Sequence, residues 1–249
     1  MLARFRPLAL AAAFILAAAL PLGPARAADS FTQAQRAEIV RIVREALVKD
    51  PTILTDAIAA LRAQAHAGGQ DTAALLAQGA AGLVRPGDPA EGNPRGKVTV
   101  VEFFDVRCPY CRQMNPAMEA LLRHDPDVRL IYKDLPILGP ASVLASRALL
   151  AAQKQGGYLK LRAALMAAPP DITDATIAAA ARKLGLDWKR LRRDMDDPAI
   201  ARRLDANLAL SRRLGIDGTP ALIAGHQLVP GAVDRADLEK LAAAARSKG

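Results

Sequence analysis

Cysteine, histidine and aromatic residues are all scarce in this 249-residue chain, which has two Cys, three His, one Trp, three Tyr and five Phe. The shortage of metal-ligating residues argues against a structural zinc site, because zinc takes four ligands. Cys108 and Cys111 supply half a set, and His66, His124 and His226 are too far apart in sequence to supply the rest as a spaced pair. These histidines read as surface or turn residues. Few aromatics leave little for bases to stack on, and arginines in stretches such as RKLGLDWKRLRRDMDD read as solvated helix faces, so no nucleic-acid partner is expected. Beyond the first residues no run is apolar enough to span a bilayer, and no His- or Met-rich tract offers dedicated copper storage.

What is present begins with Arg4 and Arg6, the uncharged apolar run Leu8 to Leu20, then Pro21-Leu22-Gly23-Pro24 and Ala25-Arg26-Ala27. A basic start, a short apolar stretch and an A-x-A site predict a signal peptide over residues 1–27, cleaved after Ala27. The run is shorter than the ~18–20 residues of a transmembrane anchor and ends in Pro and Gly. The expected product is exported to the periplasm and is not membrane-embedded. Loss of Arg4, Arg6 and Arg26 takes the formal charge from +9 to +6. The roughly 220 residues that remain suffice for one large domain and a small one. An oxidising compartment permits disulfides. A bridge closing a two-residue loop adds little as a staple, however, because chain-entropy stabilisation grows with loop length.

Residues 28–66 read as two amphipathic helices. Ile39, Val43 and Leu47 form one stripe, widened by Val40, Ile42 and Ala46. Asp50-Pro51 starts the second, with Ile53, Leu54, Ala57, Ile58 and Leu61 inward. Such wide stripes exceed what two short helices can bury on each other. Residues 67–82 read as a linker, with a flexible break at Gly68-Gly69 and a short helix at TAALLAQ; Pro86 to Gly96 reads as a turn-rich lead-in. From residue 83 to 249 the order is strand (KVTVVEFFDV), helix (RQMNPAMEALLRH, with a kink expected at Pro116), strand (VRLIYKDLP), a helical block over about 141–214, a hairpin (GTPALIAGHQLVPG) and a last helix. That order predicts an α/β domain with a helical insertion.

The C-x-x-C pair sits where the first strand runs into a helix. A cysteine at a helix start faces unpaired N–H groups and the positive end of the dipole, which favour a thiolate. Cys108 is therefore the expected nucleophile, and Cys111, one turn later and deeper, the resolving thiol. Pro109 opens the helix, where no backbone N–H is needed. Glu102 lies six residues before Cys108 in a strand expected to be buried, and Thr219-Pro220 precedes an apolar strand.

The stretches VEFFDVRCPYC, YKDLPILGP and GIDGTPALIAG resemble the DsbA family of thioredoxin-fold periplasmic oxidoreductases over about residues 83–247. The N-terminal helices resemble the extension of its suppressor-of-copper-sensitivity C (ScsC) subgroup. The resemblance implies a thioredoxin-like fold with a helical insertion, preceded by an N-terminal oligomerisation segment. It implies Cys108, Cys111 and Glu102 as catalytic residues, Glu102 being the buried acid that helps move the proton of Cys111. Pro220 would be the cis-proline beside the disulfide, and Thr219, with Pro109 and Tyr110, would meet substrate. No cofactor is implied beyond the Cys108-Cys111 disulfide. Expected partners are exported proteins with disulfides, a membrane thiol reductase, and copies of the same chain in a trimer through residues 28–66. Tyr110 departs from the prototype oxidase, which has a histidine there, and Thr219 stands where that oxidase has valine. Both departures favour an isomerase or reductase. A monomeric oxidase and a copper-tolerance protein with Cu(I) on Cys108 and Cys111 stand as alternatives, since thiolates suit Cu(I).

Overall fold

A computed structural model describes residues 31–50, 52–53 and 72–247. The signal peptide expected over 1–27, most of the second N-terminal helix and the break at Gly68-Gly69 lie outside the described residues. The chain divides into an N-terminal and a C-terminal unit.

In the N-terminal unit, helix α1 spans Gln33–Lys49. Thr32 and Gln35 cap it reciprocally, each side chain accepting from the other's backbone N–H. Arg41 pairs with Glu38 and Glu45 on its polar side. No residue of α1 is buried; Ile39, Val40, Ile42, Val43 and Val48 are all exposed.

The C-terminal unit is built on a five-stranded sheet, ordered β1-β3-β2-β4-β5. The strands are β1 (Ala90–Gly92), β2 (Val98–Phe104), β3 (Val128–Asp134), β4 (Ala221–Ala224) and β5 (Gln227–Pro230). β2 and β3 run parallel, from Val98 opposite Val128 to Phe104 opposite Asp134. β4 returns antiparallel to β2, and β5 pairs with it across the two-residue turn Gly225-His226. Gly225 has φ +55°, which its place at the head of a tight hairpin turn requires.

All seven residues of β2 are buried. Val98, Val100 and Phe104 join one apolar cluster, Val101 and Phe103 the other, so side-chain alternation serves two covered faces. The first face carries α3 (Pro109–His124), α9 (Arg235–Arg246) and much of the helical segment between β3 and β4. That segment comprises α4 (Pro140–Gln153), α5 (Tyr158–Ala167), α6 (Asp174–Lys183), α7 (Trp188–Asp194) and α8 (Pro198–Arg213). Thr173, Asp187, Asp197 and Asp234 cap the starts of α6, α7, α8 and α9 through their side chains. α3 continues through Pro116 as one helix.

The structure departs from the sequence reading in two places. Ala90–Gly92, expected as part of a turn-rich lead-in, is an edge strand antiparallel to β3. Its residues carry no strand propensity, and its pairing comes from the neighbouring strand alone. In the 67–82 segment the short helix expected at TAALLAQ is present over 72–77, but the expected linker after it is packed and carries α2 (Gly79–Gly82). Leu75, Ala80 and Leu83 are buried on the second face of the sheet beside Val101 and Phe103.

Candidate active site

Cys108 is the N-cap of α3, with extended backbone at φ −64°, ψ 122°. Its N–H donates to the Asp105 carbonyl at 2.9 Å, and its own carbonyl accepts the first helical bond, from Arg112 at 3.1 Å. Pro109 follows at the first helical position, and Tyr110 is 61% exposed. Cys108 is 4% exposed and Cys111 fully covered, and both are free thiols. Across the site Thr219-Pro220 is a cis peptide. The Cys108 thiol donates to the Thr219 carbonyl at 3.1 Å, joining residues 111 positions apart.

Cys111 has no surface exposure, and burial pushes its thiol well above the usual range, with the Glu102 carboxylate adding to the effect. This thiol needs a proton acceptor to become a nucleophile. Glu102 shares the Cys111 side of the sheet and has no exposed surface. Burial raises its carboxyl, and the nearby Arg162 guanidinium opposes the rise. Glu102 Oε2 is 3.3 Å from Arg162 Nη2, while Oε1 has no hydrogen-bond partner among the described residues.

The structure thus brings Cys108, Cys111, Thr219, Pro220 and Glu102 to one end of β2, with Pro109 and Tyr110 at the surface. The sequence reading missed four residues that hold this arrangement. Asp105 is fully buried; its carboxylate accepts from the N–H groups of Arg107 (2.9 Å), Ile137 (3.0 Å) and Leu138 (3.1 Å), tying the cysteine loop to the one after β3. Arg107 returns bonds to the carbonyls of Leu138 and Pro170. Arg112 donates to Val106, Leu165 and Ala168 carbonyls. Arg162 sits in the buried stripe Tyr158, Leu161, Arg162, Leu165, Met166 of α5. A charge at an inward helical position was the available signal for it. Among the described residues no group of three or more His, Cys, Asp or Glu could hold a metal. His226 Nδ1 lies 2.7 Å from the Leu76 carbonyl, and His124 closes the last turn of α3.

Residues 99–243 match the DSBA-like thioredoxin domain. The chain belongs to the DsbA-like thioredoxin family. Residues 35–67 separately match the copper resistance protein ScsC N-terminal domain. Among solved structures, the chain is 41% identical to a thioredoxin-like oxidoreductase from Silicibacter pomeroyi, with TM-score 0.64, covering 66% of this chain and 95% of that one. It is 33% identical to Proteus mirabilis ScsC in a transitional conformation, with TM-score 0.61, covering 88% and 99%. It is also 32% identical, over 57% of its length, to part of a Na(+)/H(+) antiporter NhaA 3 from Salinispora tropica, of which it covers 23%. The chain spans about a quarter of the length of the curated relatives it matches. Among its described residues no helix is long and apolar enough to cross a membrane. In this DsbA-like protein the dithiol therefore stands on the fold of thiol–disulfide oxidoreductases, preceded by an ScsC-type segment.

Proposed function

We propose that this protein is a periplasmic thiol–disulfide oxidoreductase that acts on exported proteins as an oligomeric disulfide isomerase or reductase. Its redox group is the Cys108-Cys111 pair. The observation that supports this most is the placement of Cys108 at the start of α3, its sulfur 3.1 Å from the Thr219 carbonyl beside cis-Pro220, with Cys111 beneath it. The Cys108 thiolate attacks one sulfur of a substrate disulfide. The substrate S–S bond breaks, a mixed disulfide forms, and the other substrate sulfur leaves as a thiolate. If a substrate thiolate then attacks the mixed disulfide, the substrate is isomerised without net redox change. If Cys111 attacks, the substrate leaves reduced and the Cys108–Cys111 bond forms. A membrane thiol reductase returns the two electrons and protons. The substrate chain lies extended beside Thr219 and Pro220 and pairs through its backbone, while Pro109 and Tyr110 touch it from the helix side.

Insulin reduction and refolding of scrambled ribonuclease test this reading. The wild type should do both, Cys108→Ser neither, and Cys111→Ser should accumulate a mixed disulfide that dithiothreitol releases. Equal behaviour of wild type and Cys108→Ser would overturn it. Fast oxidation of reduced substrate by a monomer, without isomerisation, would favour the DsbA-like oxidase instead.

The ScsC match over residues 35–67 supports a second reading, in which the reduced pair holds Cu(I). The reduced wild type would then take one Cu(I) from a competing chelator. Equal uptake by the Cys108→Ser, Cys111→Ser double variant would end this reading.

A further inference from the structure

Arg162 enters the redox site from outside the sheet and its α3 helix. It stands on α5, between β3 and β4, and is 4% exposed. Its guanidinium lies 4.1 Å from the centroid of the Tyr132 ring and 4.7 Å from that of Phe104. Nη1 donates to Asn115 Oδ1 at 2.7 Å, and Nη2 faces Glu102 Oε2 at 3.3 Å. Two rings and an amide therefore fix the orientation of a planar cation that stays charged at any working pH. The Glu102 carboxylate is its ion-pair partner. Glu91 instead accepts from the Tyr132 hydroxyl at 2.5 Å.

We propose that Arg162 is a positioning residue for thiol exchange: its fixed cation holds buried Glu102 in the carboxylate form that accepts the proton of Cys111. The helical segment thereby supplies part of the redox machinery. This inference rests on the oxidoreductase reading above. In the resolving step the Cys111 thiol gives its proton to Glu102, and the thiolate attacks Cys108 Sγ. The Cys108–Cys111 bond forms as the Cys108–substrate bond breaks, and the substrate sulfur leaves as a thiolate. Arg162 keeps its proton throughout.

The ionisable groups that face Glu102 are Arg162 from α5, Glu91 from β1, Tyr132 from β3 and Cys111 from α3. β4 and the buried side of α9 bring only apolar residues. Of these groups Arg162 alone favours the charged carboxylate; burial and Glu91 act against it. Without Arg162, Glu102 keeps its proton to higher pH and the exchange that needs the carboxylate begins later.

The test is a ¹³C NMR titration of Glu side chains in the reduced full-length protein, with Glu102→Gln to assign the signal. In Arg162→Met the Glu102 midpoint should rise by about one pH unit or more, and the pH profile of insulin reduction should move up with it. Arg162→Lys should recover most of both. If Arg162→Met fails to fold by circular dichroism, Arg162→Gln removes the charge while keeping a donor and should show the same rise. A folded charge-neutral variant with the wild-type midpoint and profile would overturn the proposal and leave Arg162 a packing residue. Absence of insulin reduction by the wild type at every pH would instead overturn the oxidoreductase reading, and the carboxyl titration would still judge the Arg162–Glu102 pairing.

Discussion

Asp134 shows how a single buried acid ties stability to pH. It ends β3 at 1% exposure; Oδ2 accepts from the Tyr158 hydroxyl at 2.8 Å, and Oδ1 has no partner among the described residues. Burial pushes its carboxyl up from 3.8 to about 7, against the pull of the Tyr158 bond and the Arg162 charge. The folded-state value lies above the unfolded one, so the folded protein holds the proton more tightly. The contribution to stability is full below about pH 4 and is lost as pH rises through about 7. Asp134→Asn keeps an acceptor for Tyr158 and removes the ionisation. Relative to wild type it should gain on the order of a few kcal/mol in urea unfolding at pH 8 and little at pH 4; a constant difference across that range would refute the assignment. Glu102→Gln tests the other buried acid of this face. It should slow exchange at neutral pH without unfolding the protein, and unchanged oxidation and reduction rates over a pH series would remove Glu102 from the mechanism.

The start of α3 is held to the helical segment by side chains rather than by strand pairing. Arg112 alone joins three carbonyls, those of Val106, Leu165 and Ala168, and so links the turn after Cys111 to the end of α5. Truncation to Ala leaves these half-buried acceptors unmatched, which should cost about 1–3 kcal/mol in denaturant unfolding. It should also speed amide exchange at both Leu165–Ala168 and the first turn of α3. Faster exchange confined to one side would show that the two elements are not coupled through this residue. β1 offers a second test. Gly92 has φ +83°, and a Cβ there would meet the Val128 carbonyl oxygen at 2.6 Å. Gly92→Ala should therefore destabilise the edge strand measurably, where the same change at an unconstrained loop glycine would not.

The N-terminal unit presents an amphipathic helix with no buried residue, and burying one Ile or Val is worth roughly 1.5–3 kcal/mol. A patch of this kind marks an interaction surface. By the resemblance to ScsC, residues 28–66 are expected to join copies of the chain as a trimer, which would bring several dithiols to one misfolded substrate. The gain is in effective concentration. Light scattering should find the mature protein oligomeric and a chain starting at Gly69 monomeric. The shortened chain should keep insulin reduction and lose most ribonuclease isomerisation. A monomeric mature protein would refute this, and an oligomer that survives truncation would move the interface to the C-terminal unit.

Much of this site was legible because it is local. The C-x-x-C spacing, the proline after the first cysteine and the strand before it define a helix start within a dozen residues. The caps Asp187, Asp197 and Asp234 likewise act on neighbouring backbone. The sequence by itself also determined that β2 is a buried strand carrying a carboxylate. Only the tertiary structure decided what that carboxylate faces. Arg162 is 60 residues away from Glu102, and Asp105 reaches Ile137 and Leu138 more than 30 residues away. It also decided that Ala90–Gly92 is a strand, because β3 supplies every partner that its own residues do not call for. Caps and turns follow from hydrogen bonds closed within one or two turns of chain. The partner of a buried charge follows from whichever distant group the packed core brings beside it.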